Sequence, residues 1–255
     1  MTKRKFAYLK DLTISLTIKE LKSKYTSATL GFLWILINPL LQMIILTLVF
    51  SIFLKIEVEN YPLFVFSGLL PWMFFSLSLQ SGISSLIANR DLIKKVNFPR
   101  ELLPMSSVFA HLFTFCLVLV LLTAFVVVTL GPSFLLLFLI PVIVLETILI
   151  ISIVLLLSSL DIYYRDVSFV LQAMLTVWFY ATPILYPIEF VPEKYFAFYI
   201  LNPMVGITTS FQSIFLHTNV ATFTPILISA VETAILLPIG FFVFKKRSKY
   251  FADWV

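Results

Sequence analysis

The feature that most constrains this chain is a series of long apolar runs separated by short polar segments. The first, residues 31–54, reaches about 36 Å as a helix, which exceeds the hydrocarbon thickness of a bilayer. With 60% hydrophobic and 12% charged residues, the chain has too little charge to cover a soluble globule and too much apolar surface for a disordered protein. The sequence therefore predicts an all-α integral membrane fold, a single transmembrane domain with six spans at residues 31–54, 62–88, 103–130, 134–160, 167–185 and 225–244.

The distribution of basic residues predicts the topology. If the amino terminus is placed on the cytoplasmic side, only Lys55 and Lys194 lie on the outer side of the membrane. This distribution satisfies the positive-inside rule. Both termini are then cytoplasmic, and the net charge of +5 reflects topology rather than nucleic-acid binding. The other 16 Lys and Arg residues fall in the inner segments, which are 1–29, 89–101, 161–167 and 245–255.

Two regions outside the spans have a distinct pattern. Residues 1–29 place apolar side chains at helical spacing, which predicts an amphipathic helix at the membrane interface. Residues 186–224 contain three prolines and two apolar pieces, 190–201 and 205–216, that are too short to cross a bilayer. We expect outer re-entrant helices there, before the last span, with their polar backbone shielded by protein or water.

The inner segment 89–104 combines basic and apolar side chains. Four apolar residues lie between positions 92 and 98, and Pro99 and Pro104 restrict the backbone where the segment ends. Two interpretations remain open on physical grounds. The segment is either a short rigid helix that contacts a soluble partner, or a solvated loop whose basic residues enforce topology.

Four motifs, in order along the chain, resemble the ABC-2 type permeases that export polysaccharides. The Leu-Ile-Lys-Lys-x-x-Phe-Pro-x-x-x-Leu-Pro core of residues 89–104 resembles the first cytoplasmic loop of that family. Together with the six spans, the likeness covers nearly the whole chain, and the nearest subgroup is the O-antigen exporter permeases. The other motifs are residues 25–34 with Asn38-Pro39, residues 161–166, and Thr182-Pro183-Ile184-x-Tyr186 with Leu201-Asn202-Pro203.

This resemblance implies the type V exporter fold and a transport subunit rather than an enzyme. It implies a homodimer in the inner membrane with two copies of a separate ATPase, which would bind ATP and Mg, so this chain would carry no cofactor. The implied cargo is undecaprenyl-diphosphate-linked O-antigen, with a teichoic-acid, capsule, drug or lipid exporter as alternatives. Residues 89–101 would be the coupling helix and would contact the ATPase through Asn89, Leu92, Ile93, Lys94, Val96, Phe98, Pro99 and Arg100.

The segment Asp161–Asp166 has two interpretations. On a continuous helix, Asp161 and Arg165 would form an i, i+4 ion pair, which is the favoured interpretation. Alternatively, Arg165 would hold the diphosphate of a lipid carrier, because guanidinium groups bind phosphate in a bidentate manner. Asp161, Arg165 and Asp166 are therefore candidates for a lipid-diphosphate or interface site.

A polysaccharide path has two kinds of candidate residue. Ser78, Ser81, Gly82 and Ser85 share one face of the second span; close helix packing is the favoured interpretation, and a polar conduit lining is the alternative. Aromatic rings would stack on sugars, although packing is favoured for each ring taken singly. These aromatic candidates are Trp34, Trp72, Trp178, Phe179 and Tyr180.

Several chemistries lack the residues that they require. No G-x-x-x-x-G-K-[ST] loop is present, so the chain is not expected to hydrolyse ATP. One cysteine (Cys116) and two histidines (His111 and His217) predict no zinc cluster, and no catalytic constellation emerges. Glu146 and Glu232 lie inside predicted spans, which makes them functional candidates. Because they are only two isolated acids, a proton-coupled carrier is disfavoured. A membrane transferase is disfavoured because the catalytic constellation is missing.

Overall fold

The computed structural model of the protein describes residues 2–25, 30–56, 58–96, 98–164, 166–218 and 223–254. All regular secondary structure in these ranges is helical, as the sequence predicts. The α-helices are α1 (Thr2–Tyr25), α2 (Trp34–Thr47), α3 (Tyr61–Ala88), α4 (Arg90–Lys95), α5 (Leu102–Thr129), α6 (Leu139–Asp161), α7 (Asp166–Tyr180), α8 (Glu193–Tyr199), α9 (Pro203–Leu216), α10 (Phe223–Arg247) and α11 (Phe251–Trp254).

Five helical stretches among the described residues are long and apolar enough to cross a membrane. The helix α7 is shorter: its 15 residues span about 22 Å at 1.5 Å per residue. It corresponds to the predicted fifth span, whereas the five longer stretches correspond to the other predicted spans within a few residues. These stretches are Gly31–Phe53, Tyr61–Ala88, Leu102–Thr129, Phe134–Asp161 and Phe223–Tyr250.

The helix α7 ends at Tyr180, five residues before the predicted end of the fifth span at residue 185. Pro183 disfavours a helical conformation at Thr182 and has no N–H to continue the helix. Residues 182–185 are nevertheless buried. The chain therefore continues as non-helical backbone inside the protein, which is where such backbone is tolerated at membrane depth.

The helix α3 is the centre of the molecule. Of the residues in its most apolar part, 72% are buried, compared with 11% in the span that contains α2. Its neighbours are α2, α5, α6, α7 and α9, and large side chains such as Phe75, Leu79 and Ile83 are completely buried. A helix that is buried on most sides lies in the interior of a bundle, so α3 positions the elements around it.

The predicted outer re-entrant region contains the short α8 and the buried α9. Side chains from Met204 to Phe215 are buried against α3, α6 and α10. The helices α9 and α10 approach so closely that a Cβ at Gly206 would lie 2.4 Å from the backbone oxygen of Pro225. With 14 residues, α9 is too short to cross the bilayer and is enclosed by longer helices, as expected for a re-entrant helix.

The carboxyl-terminal segment folds back under the bundle. Phe244 and Phe251 are fully buried in a small core with Leu86, Ile93 and Leu103, and the two phenylalanine rings meet edge to face at 5.3 Å. This cluster is separate from the main apolar core. It joins α10 and α11 to the ends of α3 and α5 and to the short helix α4.

The predicted coupling helix at 89–101 is shorter than expected. The helix α4 covers only Arg90–Lys95, and Val96 is extended. Phe98 precedes Pro99, whose ring disfavours helical backbone at the preceding residue. Residues 89–101, hereafter the coupling segment, are thus one helical turn and a half followed by a proline-restricted loop.

Candidate functional site

Two faces of α3 carry small or polar side chains, and they have different environments. Ser78, Gly82 and Ser85 are buried, and a Cβ at Gly82 would lie 2.7 Å from a methyl of Val154 in α6. Ser81 is half-buried and lies 2.9 Å from the Nε2 of His111. The packing interpretation of this small-residue face is therefore confirmed, because a neighbouring helix fills the space beside it.

A second face of α3 is polar and open. Gln80 and Ser84 are exposed and Ser76 is half-buried, at intervals of four residues. On α7, Gln172 and Thr176 are exposed at the same interval. Polar side chains on a membrane-spanning surface are unfavourable against lipid, so these positions mark a surface that meets water or another polar partner.

Ring contacts fix the register of these two helices. Phe75 meets Trp178 edge to face at 5.0 Å, and Trp72 meets Phe179 at 5.6 Å. The residue number of the contact falls along α3 as it rises along α7, so the two helices are antiparallel. In this register the polar residues lie at matching levels as three pairs, which are Ser76 with Thr176, Gln80 with Gln172, and Ser84 with Ser168.

The two polar stripes lie on the same side of the helix pair. Gln80 follows the buried Leu79 by one residue, and Thr176 follows the buried Leu175. Successive side chains on a helix point about 100° apart. Because the two helices are antiparallel, the residue that follows the buried leucine points to the same side of the helix pair on both. We call the three pairs the polar ladder; its levels are four residues apart, about 6 Å along the helix.

The polar ladder provides neutral hydrogen-bonding groups. The Ser84 hydroxyl donates to the backbone carbonyl of Gln80 at 3.1 Å, and the Thr176 hydroxyl donates to the backbone carbonyl of Gln172 at 3.2 Å. Each hydroxyl oxygen keeps acceptor capacity beyond the bond that it donates. Hydroxyls and amides without charge match the hydroxyl groups of sugars, and they do not hold a charged ligand in one place.

Most of the aromatic candidates are packing residues. Trp72 is buried, Trp178 and Phe179 are half-buried in the ring contacts described above, and the Trp178 indole N–H is bonded to Asn202. Neighbouring side chains enclose Trp72, and the lining of a path by these aromatic residues stays a prediction. Tyr180 is 62% exposed, one turn beyond Thr176, and it extends the open face of α7. Trp34 is exposed on α2 and borders a small cavity near His111.

Asn202 fastens the non-helical segment after α7. Its Oδ1 accepts bonds from the Trp178 indole at 2.6 Å and from the Met204 backbone N–H at 3.0 Å. Its amide donates to the Ala181 carbonyl at 2.9 Å and to the Thr182 hydroxyl at 3.1 Å. The unwound backbone thus has side-chain partners in place of helical ones, which removes most of the cost of its burial.

Two other side chains bond to the same segment. Gln212 of α9 donates to the Pro183 carbonyl at 2.8 Å, and the Tyr61 hydroxyl of α3 donates to the Leu185 carbonyl at 2.8 Å. Tyr199 of α8 lies 3.1 Å from the Tyr186 hydroxyl, and burial together with this bond raises the pKa of Tyr199. Together these bonds hold the outer hairpin against the helices of the polar ladder.

The residues proposed for ATPase coupling are divided between buried and exposed positions. Ile93 is buried in the small core, and Asn89 is buried between Lys19 (Nζ to Oδ1 2.7 Å) and the Ser85 carbonyl (Nδ2 to O 2.9 Å). These two side chains position the segment. Leu92, Phe98, Pro99 and Arg100 are half-buried, whereas Lys94 and Val96 are exposed.

The amphipathic helix α1 lies against the coupling segment. A narrow cavity of about 60 Å³ is lined by Tyr8, Leu12 and Leu16 of α1 and by Leu92, Val96 and Phe98. Phe98 is therefore a contact of α1 as well as a candidate contact of a partner, and Val96, which is 48% exposed, is the more accessible apolar residue.

A second contact holds the end of α1. The Lys24 ammonium lies 2.6 Å from the Nε2 of His111, which in turn lies 2.9 Å from the Ser81 hydroxyl. Burial lowers the pKa of Lys24, and the nearby Glu20 carboxylate opposes this shift. The amphipathic helix is thus tied to both α5 and α3, which places it against the bundle.

The predicted helical i, i+4 pair between Asp161 and Arg165 stays a prediction. The helix α6 ends at Asp161, and residues 162–164, which follow it, are not helical. Arg165 itself lies outside the described residues. Asp161 is buried and Asp166 is exposed. The lipid-diphosphate role of the three residues stays a prediction.

The two acids of the predicted spans differ in burial. Glu146 is fully buried in the first half of α6, and both carboxyl oxygens lack a hydrogen-bond partner among the described residues. The surrounding protein therefore encloses the Glu146 carboxyl group. Glu232 of α10 is half-buried.

Comparison with known proteins decides the family. Residues 11–216 match the family described as ABC-2 type transporter. The chain belongs to the ABC-2 type transporter family. The five long apolar helices, the short α7 and the enclosed α9 are thus the membrane domain of an ABC transporter.

Relatives in this family match over almost their whole length. The O-antigen export system permease protein RfbA of Myxococcus xanthus is 34% identical over 260 residues, covering 98% of this chain and 97% of the relative. The protein of the same name from Klebsiella pneumoniae is 33% identical over 253 residues, with the same coverage. The polysialic acid transport protein KpsM of Escherichia coli is 21% identical over 257 residues, with 98% of each chain covered.

Sequence reasoning missed the polar ladder and the role of Asn202 in this ABC-2 permease. The four-residue spacing of Ser76, Gln80 and Ser84 on α3 was a usable signal, because it defines one helical face next to the small-residue face. The matching stripe on α7 has the same spacing. Only the contact of the two helices shows that the stripes form one surface.

Proposed function

We propose that this chain is the membrane permease of an ATP-driven exporter for a lipid-linked polysaccharide, and that its cargo is O-antigen on an undecaprenyl diphosphate carrier. The observation that carries the proposal is the polar ladder, a neutral hydrogen-bonding surface in a member of the ABC-2 family. The names of the relatives that are 33–34% identical support the cargo.

The polar ladder also supports a homodimer. Its stripe is open on one side in a single chain, and a hydrated path through a membrane needs walls all round. A second copy would close the path and would bring a second coupling segment. The complete assembly would then contain two permeases and two ATPase subunits in the inner membrane, with both termini of each permease in the cytoplasm.

Energy would enter through the coupling segment. The partner ATPase would bind ATP and Mg and would contact the exposed side chains of the segment, including Lys94 and Val96. Ile93 in the small core and Asn89 between α1 and α3 would transmit the resulting motion into the bundle. The chain itself would form the transport path and the surfaces that bind its partners, and it would supply no catalytic group.

A capsule exporter is the second candidate. The polysialic acid transport protein that is 21% identical over nearly the full chain supports it. Because a ladder of hydroxyls and amides would accept many neutral sugars, it would serve either polysaccharide. The lower identity makes O-antigen the preferred cargo.

The proposed function is tested by deleting the chain from its source organism. We expect lipid-linked polysaccharide to accumulate inside the cell and to disappear from the surface, and the wild-type chain to restore export. If the surface polysaccharide is unchanged and a small lipid or drug is retained instead, the cargo assignment is wrong.

ATPase coupling is tested by affinity purification from the native membrane, with wild type beside Val96→Asp. We expect a P-loop ATPase to be recovered with the wild type and to be lost with Val96→Asp, because a charge on the exposed apolar residue opposes an apolar contact. Tyr164→Asp is the matched control, since Tyr164 is exposed outside the coupling segment. Recovery of the permease alone in every sample would contradict the ABC exporter assignment.

A further inference from the structure

A cavity of about 600 Å³ opens beside the coupling segment, and the proposed function does not use it. It lies where α3 ends, where α6 meets α7, and next to α11. Its polar lining includes Ser84, Arg90, Asp161 and Ser168, and its aromatic lining is Phe169 and Trp254. This volume is sufficient for a lipid headgroup and its glycerol linkage.

Asp161 provides an unused acceptor on the cavity wall. Its side chain is 2% exposed, and Ser168 donates both a backbone and a side-chain hydrogen bond to its carboxylate. The second oxygen, Oδ1, has no hydrogen-bond partner among the described residues. An unpartnered buried carboxylate oxygen is unfavourable, so a donor bound in the cavity would stabilise it.

Arg90 provides the opposite charge on the same cavity. It is the first residue of α4 and is exposed, so its guanidinium is accessible to a ligand. Guanidinium groups bind phosphate through parallel hydrogen bonds. A purely anionic headgroup would meet repulsion from Asp161, and a purely cationic one would meet repulsion from Arg90. The two residues together favour a ligand that carries both charges.

The rim of the cavity is suited to a membrane lipid. Phe169 and Trp254 are exposed there, and Trp is enriched at the headgroup level of bilayers. We propose that this cavity binds the headgroup of an aminophospholipid of the phosphatidylethanolamine class. Arg90 holds the phosphate, and Asp161 accepts a hydrogen bond from the primary ammonium.

The bound headgroup stands at one end of the polar ladder. Ser84 and Ser168 form the last pair of the ladder and also line the cavity. A phospholipid there occupies the place through which a polar cargo on that side of the membrane reaches the ladder. Binding itself does not depend on the identity of the cargo.

Native mass spectrometry of the purified full-length protein tests this proposal, with phosphatidylethanolamine, phosphatidylcholine and phosphatidylglycerol added in turn. Phosphatidylcholine lacks N–H donors on its ammonium, and phosphatidylglycerol lacks the ammonium. We expect phosphatidylethanolamine to be retained about tenfold more than either, the factor that one hydrogen bond to a charged group supplies.

Two variants connect this preference to the cavity. Arg90→Gln and Asp161→Asn are each expected to reduce phosphatidylethanolamine retention to the level of phosphatidylcholine. Asp166→Asn and Lys95→Gln are matched controls and should leave it unchanged, because neither residue lines the cavity. Arg90 is exposed, so Arg90→Gln remains informative if Asp161→Asn does not fold.

Three results would overturn the proposal. Equal retention of the three lipids would remove the headgroup preference, and a preference that survives in Arg90→Gln would place it elsewhere. A preference for phosphatidylglycerol would indicate an anion site at Arg90 alone. Loss of polysaccharide export without a change in lipid retention concerns the proposed function only, so the two failures are distinguishable.

Discussion

At the scale of single residues, Asn202 has the most concentrated role. Its one amide group bonds to α7, to the non-helical segment that follows, and to the first turn of α9. The Leu201-Asn202-Pro203 motif therefore joins three parts of the outer hairpin. An apolar side chain of the same size would leave the Ala181 carbonyl and the Trp178 indole without these partners.

We expect Asn202→Leu to lower the free energy of unfolding by about 1–3 kcal/mol, the cost of leaving partly buried polar groups unsatisfied. Asn202→Asp is the matched comparison: it keeps the acceptor for Trp178 and Met204 but loses the donor to Ala181. Its effect should be smaller than that of Asn202→Leu. Denaturant titration of the solubilised protein measures both, and equal stability of all three proteins would contradict the assigned role.

The polar ladder gives a second prediction at this scale. The double variant Gln80→Leu, Gln172→Leu removes the middle pair, and we expect polysaccharide export to fall by about thirtyfold because two amide contacts of about 1 kcal/mol each are lost. Surface polysaccharide in a complemented deletion strain is the readout.

The control for the ladder is Gln80→Asn, Gln172→Asn, which shortens both side chains and keeps their amides. Export should remain close to wild type. Unchanged export in the leucine double variant, with normal protein levels, would show that the path lies elsewhere. Protein levels in the membrane distinguish that outcome from a folding defect.

At the scale of elements, the carboxyl-terminal segment acts as a clasp on the coupling segment. Phe251 packs into the small core with Ile93, and Arg100 donates a hydrogen bond to the Ser248 carbonyl. The Lys245 Nζ lies 3.8 Å from the Glu101 Oε1, so the two side chains form an ion pair. We call α11 with the preceding turn 248–250 the clasp, because it joins α10 to both ends of the coupling segment.

We expect Phe251→Ala to destabilise the solubilised protein by about 3 kcal/mol, as for other fully buried phenylalanines, and to weaken recovery of the partner ATPase. Phe251→Leu fills most of the volume and should restore both. Tyr250→Ala is the control, since that neighbouring side chain is exposed. If Phe251→Ala alters stability but leaves ATPase recovery unchanged, the clasp is a structural element without a role in coupling.

At the scale of the whole molecule, the open side of the polar ladder predicts how two copies meet. This arrangement of the two copies can be tested by cross-linking. Cys116 is the one cysteine of the chain, so Cys116→Ser gives a background without cysteine. In that background we expect Thr176→Cys to form a dimer on a denaturing gel with a short bifunctional maleimide. Thr176 is exposed on the ladder, so it should face the path between the copies.

The matched control for the dimer is Val128→Cys, which is strongly exposed at the end of α5 and lies away from the ladder. It should react with maleimide in detergent but give no dimer band. A dimer from Val128→Cys and none from Thr176→Cys would place the interface on α5 and would leave the ladder facing outward.

The sequence by itself determined the helical membrane class, the five long spans and the family resemblance. These features depend on local hydrophobicity and on motifs that are read along the chain, and a span needs only length and apolarity. It also indicated that residues 186–224 do not cross, because their apolar pieces are too short. The packing role of the small-residue face of α3 could be predicted for the same reason, since residue size is local information.

Only the tertiary structure decided which helices face each other. The shortened α7 depends on Asn202, Gln212 and Tyr61, which bond to its non-helical continuation from distant positions in the chain. The polar ladder exists because ring contacts align α3 with α7. Long-range contacts such as these depend on the relative rotation and register of helices, and in a span that is apolar on nearly every face hydrophobic periodicity does not fix either one.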